Sequence, residues 1–147
     1  MTPTSYILVV RCGDVRIRLK SLGEILLNDG YYVYLGSADI RRPYSRVLRH
    51  LARVRKKIRW HVDHLTTACT ALAGIICRGL DENTLYRILS GREEITPLAR
   101  GFGSSDYREH YSHLFKVETP SGGNHGILEF LRATTLSSCE DVELVFK

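Results

Sequence analysis

Hydrophobic positions follow two rhythms along this chain, and the change from one to the other marks its elements. Tyr6-Ile7-Leu8-Val9-Val10 is an unbroken apolar run, the pattern of a buried strand. Cys12-Gly13-Asp14 reads as a turn. Val15-Arg16-Ile17-Arg18-Leu19-Lys20 alternates strictly, so it is expected to be a strand with one wet face, paired with the first strand as a hairpin. Ser21 to Leu27 adds a short strand and Asn28-Asp29-Gly30 a turn. Tyr31-Tyr32-Val33-Tyr34-Leu35 follows as the next strand, because aromatic and branched residues suit a pleated surface. Gly36-Ser37-Ala38 closes it. This spacing predicts an antiparallel sheet of three strands or so.

The rhythm then lengthens. Val47, Leu51, Val54 and Ile58 follow i, i+4, i+7, i+11, which predicts a helix from about Tyr44 to Ile58, with Pro43 in its first turn. Arg46, Arg49, His50, Arg53 and Lys57 form a second stripe, roughly 100° round the same helix. Trp60 to Ala68 is expected to continue helical, and Leu72 to Cys77 to form a short strand. Asp81 is placed to cap a helix that buries Leu85, Ile88 and Leu89 and ends at Ser90-Gly91. Ile95 to Ser105 reads as a Gly- and Ser-rich loop, and Leu114 to Val117 as a last sheet strand. Pro120-Ser121-Gly122-Gly123-Asn124 is the best linker signal. Ile127 to Ala133 then reads as a short helix and Val142 to Phe146 as a strand. The expected class is α+β: a small, mostly antiparallel sheet flanked by helices. Residues 1–117 form its main unit, with 118–147 as an extension packing on the same domain.

Charge changes this picture more than composition does. A chain of 147 residues that is 44% hydrophobic holds enough for one domain with a core, as expected of a soluble globular protein. The net charge of +5 favours an anionic partner, with nucleic acid first and an acidic membrane surface second. Nine of the 21 basic residues are Arg41, Arg42, Arg46, Arg49, Arg53, Arg55, Lys56, Lys57 and Arg59. No acidic residue lies between Asp39 and Asp63 to pair with them, so the helix presents a phosphate-facing surface rather than a salt-bridged one. The four cysteines, Cys12, Cys69, Cys77 and Cys139, make no Cys-x-x-Cys pair, which argues against a zinc ribbon. The start shows no basic region before an apolar core, and Leu65 to Leu80 is broken by Thr66, Thr67, Thr70 and Arg78. The expectation is a cytoplasmic protein with free thiols and no membrane partner.

Tyr34-Leu35-Gly36-Ser37-Ala38, followed after seven residues by Arg46-Val47-Leu48-Arg49-His50, resembles the second half of the GIY-YIG nuclease signature. The likeness lengthens with Gly30-Tyr31-Tyr32-Val33, Arg49-His50-Leu51, Trp60-His61-Val62-Asp63, Gly101-Phe102-Gly103-Ser104-Ser105-Asp106 and Ser112-His113-Leu114-Phe115. Together these resemble a mostly archaeal branch, the Uri-type endonucleases, sometimes fused to endonuclease III. The resemblance covers about residues 4–116. It implies a GIY-YIG-like fold and metal-dependent hydrolysis of DNA phosphodiester bonds, in repair or recombination. Tyr6 stands at the first tyrosine motif, although Thr4-Ser5 replaces the Gly-Ile before it. Tyr34 matches the second tyrosine, Arg46 the phosphate-contacting arginine and His50 the histidine one turn on. Glu82 is the best match for the metal-binding glutamate. The longer gap between the tyrosine motifs leaves room for the Val15 to Lys20 arm to add a strand to the sheet.

The chemistry agrees in part. A nuclease must activate water, neutralise charge on a phosphorane-like transition state and stabilise the leaving oxygen. Arginine suits bidentate phosphate contact. Glutamate is a hard oxygen ligand for one Mg2+ or Mn2+. A tyrosine base is awkward: a phenol titrates near pH 10, and each unit of depression needs about 1.4 kcal/mol. Arg46 and the metal are expected to supply that depression. Tyr6 or Tyr34, aided by His50, is therefore the expected water activator, and sequence does not choose between them. DNA contacts fall to Arg42, Arg49, Arg53 and Lys57, with His61 at the rim. His61-x-x-His64 with Asp63 lacks a third ligand for zinc. Gly101 to Asp106 reads equally as a phosphate cradle and as a tight loop. Two rivals stand beside the nuclease: a DNA-binding module that does not cut, and an interaction protein whose basic face meets an acidic partner.

Overall fold

A nine-residue strand, β1 (Thr4–Cys12), has a neighbour on each side, and that occupancy governs the topology. The computed structural model describes residues 2–37, 43–52, 60–118 and 122–146. β4 (Gly30–Ser37) pairs antiparallel with β1 along one edge, and β5 (Thr70–Arg78) along the other. β2 (Val15–Leu19) thus has no edge of β1 left to join. It pairs with β3 (Gly23–Leu27) as a separate two-stranded ribbon. The expected β1–β2 hairpin does not form, and the β2 arm adds nothing to the main sheet. Its alternation is nevertheless used: Ile17 and Leu19 are buried, and Arg16 and Arg18 are exposed.

The main sheet has six strands in the order β6-β7-β4-β1-β5-β8, every adjacent pair antiparallel. β5, β7 and β8 answer the strands expected at 72–77, 114–117 and 142–146, so the sheet is wider than the three strands or so expected from the opening part of the chain. β6 (Ile95–Pro97) lies where a loop was expected, because a three-residue strand is too short for any periodicity to register. It pairs with β7 (Leu114–Val117), which pairs with β4. β8 (Asp141–Phe146) closes the far edge on β5.

Parity along the strands sorts the core into two layers. Tyr6, Leu8, Val10, Tyr32 and Tyr34 share one cluster with Val47 and Leu51 of α1 (Pro43–Leu51), Val62 and Leu65 of α2 (His61–Ala68), and the buried side of the ribbon. Ile7, Val9, Val33, Leu35 and Ile75 share the other with Leu85 and Leu89 of α3 (Glu82–Ser90) and Ile127 and Leu131 of α4 (Gly123–Thr135). Both faces of β1 are therefore covered, which explains its unbroken apolar run. The chain is α+β, and its described residues form a six-stranded antiparallel sheet flanked by four helices. α1 approaches closely because Gly74 of β5 has no side chain: a Cβ there would occupy the place of Val47 Cγ1. The described part of α1 ends at Leu51, and Val54 and Ile58 lie outside the described residues.

Asp81 caps α3 as expected, accepting the Thr84 N–H at 2.8 Å. That hydrogen bond holds its carboxyl pKa below the usual value. α4 runs thirteen residues, longer than expected, and packs against α3.

The free-thiol expectation is overturned. Cys12 bonds to Cys69 and Cys77 to Cys139. The pairs are 57 and 62 residues apart, so only the fold brings them together. Local spacing rules out a Cys-x-x-Cys site and says nothing of such distant pairs. Disulfides persist in oxidising compartments and, as an exception, inside hyperthermophiles. Cysteine usage therefore no longer supports a cytoplasmic expectation. Among the described residues no helix is long and apolar enough to cross a membrane.

Thiol titration of the unfolded, unreduced protein should find no reactive cysteine, and all four after reduction. Changing Cys77 and Cys139 together to Ser should lower stability by about 2–4 kcal/mol, read by thermal unfolding. Four thiols before reduction would refute both pairings.

Candidate functional site

At one end of the central strands, six sequence-distant side chains line a single cavity of about 310 Å³. They are Tyr6, Tyr34, Arg46, His50, His61 and Glu82. Register explains the first two. Tyr6 on β1 stands opposite Gly36 on β4, and Tyr34 stands opposite Leu8, so both rings leave the same face of the sheet. Their centroids are 6.4 Å apart. The Tyr6 ring lies across Gly36, where an added Cβ would collide with it. The Tyr34 ring fills the same kind of space over Gly103, whose φ of +68° also favours glycine.

α1 carries the cationic side. Arg46 donates to the Ser37 carbonyl oxygen at 2.9 Å, which fixes its guanidinium beside the end of β4. His50 is one turn further on. It was expected on the solvent-facing basic stripe, but it is only 2% exposed, and its Nε2 lies 3.1 Å from Tyr6 Oη. Seating Val47 and Leu51 on the sheet turns the next position of the helix inward. Arg49 stays at the surface side, bound by both nitrogens to Asp63 at 2.9 and 3.3 Å. Arg42, Arg53 and Lys57 lie outside the described residues.

Asp63 itself is fully buried. Besides Arg49 it accepts the Trp60 N–H at 3.0 Å, while its own N–H donates to the Trp60 carbonyl at 3.0 Å. One buried carboxylate thus caps α2, holds Arg49 and fixes Trp60 at the cavity mouth. The sequence offered it only within the Trp60-His61-Val62-Asp63 string and as a partner for a zinc site. Its position three residues after the cap was the available signal.

The loop from Gly101 to Asp106 is tied down rather than loose. His61 Nδ1 accepts the Gly103 N–H at 2.8 Å, and His61 Nε2 lies 3.0 Å from Ser21 Oγ. Both ring nitrogens are therefore engaged in pinning the loop and the ribbon to α2. Burial, and His64 beside it, hold the His61 pKa below its ordinary value.

Glu82, first residue of α3, belongs to a chain that the sequence reading missed. Glu82 Oε2 is 3.2 Å from His113 Nδ1. His113 Nε2 is 2.8 Å from His110 Nδ1, and His110 Nε2 is 2.8 Å from Asn83 Oδ1. Both histidines are buried, and His110 also stacks on Tyr86 and Tyr107. Burial, with His113 next to it, lowers the His110 pKa. The string Ser112-His113-Leu114-Phe115 marked the place without naming the role.

Electrostatics corrects the expected tuning of the phenols. Burial pushes the Tyr6 hydroxyl well above the usual range, Tyr34 adds to this, and Arg46 pulls it down only in part. Burial likewise raises Tyr34, reinforced by Glu82 and opposed by Arg46. Desolvation outweighs the nearby cation at both rings.

Among the described residues no three His, Cys, Asp or Glu side chains cluster to hold a metal. Glu82 and Asp106 both line the cavity. One or two carboxylates, with water and phosphate oxygens, is a donor set that fits Mg2+ or Mn2+ and not zinc.

Comparison with known families finds one match, a domain of unknown function, DUF123, over residues 5–135. The chain belongs to the DUF123 family. No curated protein and no solved structure matches it. The DUF123 match takes in every residue of the cavity and all of α4, but stops before β8.

In this DUF123 chain, Gly36→Ala should destabilise by about 1–3 kcal/mol by forcing Tyr6 off its position. Thermal unfolding reads the loss. Gly36→Ala combined with Tyr6→Ala should recover part of it, and no recovery would disprove the contact.

Proposed function

We propose that the chain is a metal-dependent endonuclease of GIY-YIG, Uri-type character, cutting DNA phosphodiester bonds in repair or recombination. One observation carries this reading: two tyrosines, an arginine, a histidine and a glutamate, spread from position 6 to position 82, line one cavity. Chance packing rarely gathers a phosphate ligand, a proton acceptor and a hard metal ligand in one basin.

In this reading Arg46 receives the scissile phosphate. Its link to Ser37 fixes the guanidinium, and its other N–H groups would meet two phosphate oxygens bidentately. Tyr6 takes the proton of the attacking water while passing its own to His50 Nε2, 3.1 Å away. This relay gives the buried histidine a task and does not require Tyr6 to rest as a phenolate, which burial disfavours. Tyr34 shares the Tyr6 face and orients the water or a non-bridging oxygen. Glu82 would hold one Mg2+ or Mn2+, which when bound neutralises charge on the leaving oxygen. His113, 3.2 Å from the Glu82 carboxylate, would orient it when protonated.

The test is cleavage of supercoiled and branched DNA with Mg2+ or Mn2+. Wild type should cut, while Arg46→Ala, Glu82→Ala and His50→Ala should each lose about 100- to 1000-fold in rate. Tyr6→Phe should lose as much while keeping the fold. Equal cutting by all of them would sink the assignment. Salt-dependent DNA retention without nicking by the wild type would leave the non-cutting DNA-binding module.

A further inference from the structure

The only tryptophan of the chain, Trp60, lines the mouth of the cavity and is 48% exposed. The backbone that carries this exposed aromatic is anchored. Asp63, wholly buried, accepts its N–H, and the main-chain bond from Asp63 returns to its carbonyl. The indole is also flanked by two cations. The guanidinium carbons of Arg49 and Arg46 lie 5.2 and 5.9 Å from the ring. A half-exposed indole with guanidiniums over its ring is a platform on which a nucleobase can stack, with the backbone phosphates on the arginines.

We propose that Trp60 stacks an unpaired base adjoining the phosphate seated at Arg46, which makes single-stranded flaps, gaps and branch points the preferred substrates. This rests on the nuclease reading of the same cavity. A base inside a duplex is already stacked on its neighbours, and reaching the indole would require pulling it out. A base at a flap or junction is exposed at no such cost. Arg46 belongs to both sites, so the scissile phosphate and the stacked base are adjacent on the same strand.

The lone indole supplies its own reporter. Wild-type protein is titrated, without metal, with a blunt duplex and with the same duplex carrying a single-stranded flap, following tryptophan emission. Cleavage of both is then measured with Mg2+. The flap should quench the emission and the blunt duplex should leave it nearly unchanged. Trp60→Ala should bind the flap about tenfold more weakly, with little change on duplex, and should lose the cleavage preference. Trp60→Phe should keep most of that preference, which separates stacking from a folding defect. Equal quenching by both DNAs, or a cleavage preference intact in Trp60→Ala, overturns the proposal while leaving the nuclease reading in place. Quenching by the flap with no metal-dependent cutting of either DNA overturns the nuclease reading and keeps the stacking site.

Discussion

The register of β1 against β4 is the constraint on which the cavity depends. It sets Tyr6 across from a residue with no side chain, and the tyrosine ring takes the vacated volume. A slip of β1 by one position would turn Tyr6 away from Tyr34 to the opposite face, into the layer filled by α3 and α4. That register is defended from both edges of β1, because β5 pairs along the other side and α1 lies on β5 over Gly74. The geometry of the site is therefore a property of the sheet core rather than of a surface loop.

Buried charge does the local positioning. Asp63 is surrounded by donors: Arg49 on one side and the Trp60 amide on the other. Removing a carboxylate from water is costly, and it persists here because each oxygen is bonded. At the opposite wall, Glu82 lies 3.2 Å from His113, the first of two histidines in a line that ends at Asn83. The two acids have different tasks. Asp63 is spent on structure, while Glu82 keeps a face toward the cavity.

Much of this was legible in the chain. The runs at Tyr6 and Tyr31, the spacing of Val47 and Leu51, and the cap at Asp81 all became the elements they imply. Tyr34, Arg46 and His50 were legible as candidates through the family resemblance, since periodicity within one strand or one helix says nothing of how the two meet. The failures have a common cause in non-local information. β2 was set against β1 because nearest neighbours usually pair, yet β1 had both edges taken by strands from further along. His50 sits between two arginines in sequence, but the helix is rotated by how closely Val47 can approach a glycine on β5. His113 is distant from Glu82, and no local spacing connects them. Cysteine pairing is decided by topology in the same way.

The last strand has a consequence for where this chain can be shortened. The family match ends at residue 135, yet β8 covers the outer edge of β5 and is fastened there by Cys139. A version trimmed at the family boundary would bare the backbone donors and acceptors of a long apolar strand, with an unpartnered thiol at Cys77. Such an open border is a template for recruiting other chains, so the trimmed protein is set to self-associate.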